Sequence, residues 1–182
     1  MRYLFLCVFI IGLSSCEKQE NTDVVKSDVV EEEKDLKYEF DSLTLYYPAD
    51  WALAESIDDA GSNLVTINPT DSLSSGRMSV AIFQAALPQL NTLLSIKGSV
   101  YLNLDVDPEA IQESEAGEIT YQGVPALYQS YSARSETRTV DGQFIILNKS
   151  EHCYVIYFQT NQADSQINRK VFETFERNLL IR

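Results

Sequence analysis

Residues 152–160 (HCYVIYFQT) constrain the fold of this chain more than any other stretch. From His152 to Phe158 the run is apolar on both alternating faces, and an extended strand sends successive side chains to opposite sides of its sheet. A strand that is apolar on both sides belongs in the middle of a sheet covered above and below. The rest of the sequence must therefore supply flanking strands and two covering layers.

The flanking elements are legible by period. Residues 37–48 (KYEFDSLTLYYP) alternate Leu43, Leu45 and Tyr47 against Thr44 and Tyr46, which predicts a half-buried strand ended by Pro48. Trp51 follows in a turn (PADWALAE), where a large ring can close one edge of a core. Residues 63–68 (NLVTIN) form a second strand between Gly61 and Pro69. Residues 76–84 form a third, with Met78, Val80 and Ile82 alternating against Ser79, Ala81 and Phe83.

The period then changes. Over 87–102 (LPQLNTLLSIKGSVYL), Leu90, Leu93, Leu94, Lys97 and Tyr101 fall on or near one stripe, which predicts a helix. Strands resume at 119–121 and 126–132, followed by a long segment over 137–148 and a turn at 148–151. Asp141-Gly142 reads as a bulge inside that long strand, since a hairpin turn there would leave a short polar strand before it. A closing helix begins near Asn161 as its cap, with Asp164 at its positive end. Ile167, Val171, Phe172, Phe175 and Leu179 are its buried stripe, and Glu173 and Arg177 form an i,i+4 pair. The order strands, helix, strands, helix predicts an α+β fold, an antiparallel sheet flanked by helices.

The N-terminus carries an address. Arg2 precedes an apolar run over 3–11 (YLFLCVFII), and small residues lead to Cys16. This is the pattern of a secretory signal peptide, and the run is too short for a bilayer, which takes about 20 residues. Leu13-Ser14-Ser15-Cys16 resembles the bacterial lipobox; an ordinary signal peptide that happens to end in Cys is the alternative. The resemblance implies a lipid on Cys16 and anchoring in a bacterial envelope membrane, since two or more acyl chains hold stably. Residues 1–15 are thus the signal peptide, 16–36 the lipidated Cys and a tether, and 37–182 one globular domain. Residues 17–35 hold eight acidic and three basic residues with no aromatic, a composition that cannot offset its ordering entropy.

Few residues offer chemistry. Cys7 leaves with the signal peptide and Cys16 carries lipid, so Cys153 has no partner for an internal disulfide. His152 is the sole histidine, and on a strand it points away from Cys153, so the two form no dyad. Asp105, Asp107 and Glu109, with Glu113 and Glu115 nearby, could offer oxygens to a cation; Pro108 reads more simply as a helix start with acids at its positive end. Catalytic, metal and cofactor residues are accordingly expected to be absent. Tyr46, Tyr121, Tyr128 and Tyr131 would mark a binding face if exposed, although aromatics are common in strands. With 27 acidic and 14 basic residues, the chain is unsuited to nucleic acid.

Three motifs in order resemble a known superfamily. Leu45-Tyr46-Tyr47-Pro48-Ala49-Asp50-Trp51 is similar to a strand-Pro-x-x-Trp opening, and Tyr121-Gln122-Gly123-Val124-Pro125-Ala126 to an x-Gly-x-Pro-Ala strand start. With Cys153-Tyr154-Val155-Ile156-Tyr157-Phe158 and the closing helix, they resemble the PsbP-like (Mog1/PsbP/DcrB) superfamily of α/β/α sandwiches over most of residues 40–182. The resemblance implies an exported, non-enzymatic accessory or binding module serving an envelope protein partner. The alternative is a carrier or sensor of a small apolar ligand or lipid, held between sheet and helix. It transfers no binding residue.

Overall fold

A computed structural model describes residues 35–58, 62–70, 75–104 and 106–182. The signal peptide, Cys16 and the tether up to Lys34 lie outside the described residues, as does Asp105. Among those described, none of the helices is long and apolar enough to cross a membrane.

The main sheet is antiparallel and runs in the order β3-β4-β5-β10-β9-β8-β6, with β7 also paired to β8. Its members are β3 (Trp51–Ile57), β4 (Asn63–Pro69), β5 (Arg77–Phe83), β6 (Ile111–Glu113), β7 (Gly117–Tyr121), β8 (Val124–Arg134), β9 (Thr139–Lys149) and β10 (His152–Asn161). As its sequence requires, β10 is central, and Cys153 to Phe158 are all buried. Two cores lie against its opposite faces. On one, Leu93 and Leu104 pack with Phe144, Ile146, Val155 and Tyr157 beneath α1 (Gln89–Leu102). On the other, Val80, Ile82, Tyr154, Ile156 and Phe158 pack with Phe175 of α2 (Ser165–Asn178). Burying one large aliphatic or aromatic side chain contributes about 1.5–3 kcal/mol, so the fold rests on both faces.

The structure departs from the sequence reading at six places. Residues 37–48 are two strands, β1 (Leu36–Phe40) and β2 (Leu43–Tyr47), paired through a turn at Asp41, whose φ of 50° is left-handed. They join β11 (Leu179–Ile181) in a separate three-stranded sheet. The helical stripe expected to run through Leu179 therefore ends early, because Leu179 and Ile181 leave the helix to pair with Leu45 and Leu43. Gln122 donates to the Leu179 carbonyl and Lys149 to that of Ile181, which fixes the added strand.

Trp51 opens β3 rather than sitting in a turn, and its ring meets Phe175 edge-on at 5.2 Å. Asp141-Gly142 is neither turn nor bulge. The register runs unbroken past it on both sides, Gly142 pairing Tyr131 of β8 and Gln159 of β10. The α1 stripe is rotated: Leu93 is buried and Ile96, Val100 and Tyr101 pack beside it, whereas Leu90 and Leu94 are 56% and 52% exposed. Asn161 ends β10 instead of capping α2, and the Asp164 carboxylate accepts from the Ser75 hydroxyl at 2.6 Å. Arg177 Nε donates to the Glu173 carbonyl oxygen at 3.1 Å.

Candidate ligand groove

The residues singled out for chemistry are engaged locally. His152 opens β10, with Nδ1 2.8 Å from the Ser150 carbonyl oxygen and Nε2 2.9 Å from Gln84 Oε1 and 3.2 Å from Asp41 Oδ2. These contacts pin the β1–β2 turn to the main sheet. Cys153 points to the opposite face, fully buried, and burial pushes its thiol up, partly opposed by the Leu87 backbone and Thr92. A protonated thiol in an apolar core is inert.

Asp107 accepts from the Glu109 N–H at 2.9 Å and so caps a short 3-10 turn at Pro108–Ala110, as the Pro spacing suggested. Glu113 accepts from Lys97 Nζ at 2.6 Å and from Gln129 Nε2 at 3.2 Å. Among the described residues, no three His, Cys, Asp or Glu side chains gather as a metal site would need.

The tyrosines do not form the face their number suggested. Tyr121 and Tyr131 are core residues, while Tyr46 and Tyr128 are half-buried, Tyr128 against the α2-side core. In strands this long, alternation sends aromatics inward as readily as outward. Tyr131 stacks on Phe144 at 5.6 Å and meets the Tyr157 hydroxyl at 2.8 Å. Gln159 Oε1 accepts from both hydroxyls. Burial holds the Tyr157 hydroxyl up at about 12, against the lowering effects of the Tyr131 hydrogen bond and the charge of Arg77.

One concavity follows from where α1 sits. The helix packs over β8 and β9, leaving the β4–β5 side of the same sheet face open. A groove of about 950 Å³ results, with Ile96 and Val100 of α1 and Leu104 just past the helix on one wall. Its floor carries Leu64, the hydrogen-bonded pair Thr66 and Ser79 (3.0 Å), Val155 and Tyr157. Two arginines, Arg77 and Arg138, are among its lining residues. Arg77 Nε donates to Asn68 Oδ1 at 3.1 Å, which orients its fork. A smaller cleft of about 660 Å³ beside α2 has the opposite character, lined by Glu113, Asp141, Glu173 and Glu176 together with Arg169. Burial, with the charge of Glu173 added, pushes the Glu176 carboxyl above the usual carboxylate value.

Sequence reasoning did not single out Arg77 or Arg138. The alternation over 76–84 already put Arg77 on the face of Ser79 and Ala81, away from Met78 and Val80. What the pattern could not carry is that α1 covers only part of that face.

No family model and no curated protein matches the chain. Solved structures do. The solution structure of cyanobacterial PsbP (CyanoP) from Synechocystis sp. PCC 6803 is similar over 93% of this chain and 99% of its own, at 13% identity and a TM-score of 0.57. The fold is PsbP-like. LpqN of Mycobacterium tuberculosis, a protein involved in cell envelope biogenesis, matches over 81% of this chain and 90% of its own, at 12% identity and a TM-score of 0.50. At such identities the PsbP-like fold is the shared property, and function must be argued from the groove.

Proposed function

We propose that this chain is a non-catalytic binding module of a bacterial envelope, tethered through a lipid on Cys16, which takes its ligand in the groove between α1 and the β4–β5 face. The groove carries the proposal. At about 950 Å³ it is at the upper end of the 300–1,000 Å³ range of small-molecule sites, and it combines apolar walls with a few convergent polar groups. The engaged His152 and the buried Cys153 supply no nucleophile and base within reach of one another, which favours binding over chemistry.

A second reading has its own observation. Leu90 and Leu94 stand one turn apart on the outer side of α1, more than half exposed. An envelope protein partner could pack on them through an amphipathic helix, whose anchors recur at that spacing.

One experiment separates the two. The protein is purified from its own membranes in neutral detergent and weighed intact by native mass spectrometry, alongside a Val100→Trp variant that fills the groove. A non-protein adduct at one per chain, lost from the variant, is the expected result. An empty chain that still crosslinks specifically to one membrane protein through position 94 would replace the groove with the helix face.

A further inference from the structure

We infer that the groove selects an anion: a carboxylate or phosphate group held by Arg77 and Arg138, with an apolar segment laid along Ile96, Val100 and Leu104. This rests on the groove being the binding site and assigns its ligand class. The chain as a whole has 27 acidic and 14 basic residues, yet the groove lining holds two arginines and, among the described residues, no carboxylate. That inverts the local charge balance where a ligand would sit. Asp164, which is not among the lining residues, accepts from the hydroxyl of the groove residue Ser75 at 2.6 Å.

Arginine suits the role by its geometry. Its planar fork matches carboxylate and phosphate oxygens in pairs, and such charge-assisted bonds are roughly twice as strong as neutral ones. The Asn68 carbonyl takes Arg77 Nε and leaves its terminal nitrogens without a described carboxylate partner. Gln159 and the Tyr157 hydroxyl line the same groove and add neutral polar groups. A purely hydrocarbon ligand would cover the Arg77 side chain without offering its terminal nitrogens a counter-charge, which is costly. A neutral lipid is therefore the poorer match, and an anion with a short apolar portion the better one.

The test uses three probes with the same six-carbon tail: hexanoate, hexyl phosphate and hexanol. Each is titrated into the full-length protein in neutral detergent, and binding is followed through the amide signals of Ser79, Val100 and Gln159. Hexanoate or hexyl phosphate should bind at least tenfold more tightly than hexanol, and the tighter of the two identifies the head group. Arg77→Gln with Arg138→Gln should abolish that advantage while hexanol binding and the amide spectrum outside the groove stay unchanged. Equal binding of hexanol and both anions at the groove overturns the anion inference and leaves the groove reading standing. Groove signals that move with none of the probes, in a protein that also carries no native adduct, overturn both.

Discussion

Gly142 lies under the ring of Tyr131, and a Cβ built there would come within 2.6 Å of the tyrosine oxygen and closer to two ring carbons. Only a residue without a side chain lets that ring reach Tyr157 and stack on Phe144. Gly142→Ala should therefore destabilise the protein by about 1–3 kcal/mol, the range for overpacking, read from the urea midpoint. Gly98 in α1 has open space around it, so Gly98→Ala should stabilise by about 0.5–1 kcal/mol through helix propensity. Glu176 gives a pH signature. Its folded pKa is raised, so the native state holds its proton more tightly than the unfolded chain, and stability from this group falls as pH rises through the folded value. Glu176→Gln should be more stable than wild type at pH 7, with the difference shrinking as pH falls to the ordinary carboxylate range. A difference that grows on acidification would contradict the burial argument.

The elements show which parts of the fold the sequence carries. Strands with strict alternation, β4 and β5, and the doubly apolar β10 lie where their period put them, because one or both faces are buried and a slip of one residue would expose them. The β1–β2 turn was hidden because Asp41-Ser42 lacks the glycine that usually marks a two-residue hairpin. The β9–β10 hairpin turns where the sequence placed it, at 148–151, although Ser150 and Glu151 have φ of 50° and 67° with no glycine. A left-handed non-glycine residue costs about 1–2 kcal/mol, so Glu151→Gly should raise thermal stability, measurable by calorimetry. β11 escaped notice because Leu179 continues the helical stripe in sequence, and its strand pairing depends on Leu45 more than a hundred residues away. The rotation of α1 has a similar origin, since leucines at 90, 93 and 94 define two overlapping stripes. Leu93→Ala should cost about 2–5 kcal/mol, and Leu94→Ala should stay within about 0.5 kcal/mol of wild type. Equal losses in urea unfolding would mean that Leu94 is buried against another element.

At the scale of the whole molecule, α1 covers the β8–β9 part of one sheet face and leaves the β4–β5 part as a groove lined by two arginines in an acidic protein. The sequence made the layers legible but not the groove, since its position depends on the offset of one helix over a twisted sheet. The N-terminal segment carries a separate proposal: Cys16→Ala should move the mature protein from the membrane pellet to the soluble fraction, and retention in the pellet would count against the lipid anchor. Above all, the groove should be where this protein binds. The most direct test places a photo-crosslinking side chain at Ser99 on the groove wall, with the same group at Leu94 on the outer side of α1 as comparison, followed by irradiation in native membranes and intact-mass analysis. A discrete small-molecule adduct at position 99, absent at position 94, is the expected result. A protein crosslink at 94 with nothing at 99 would contradict it.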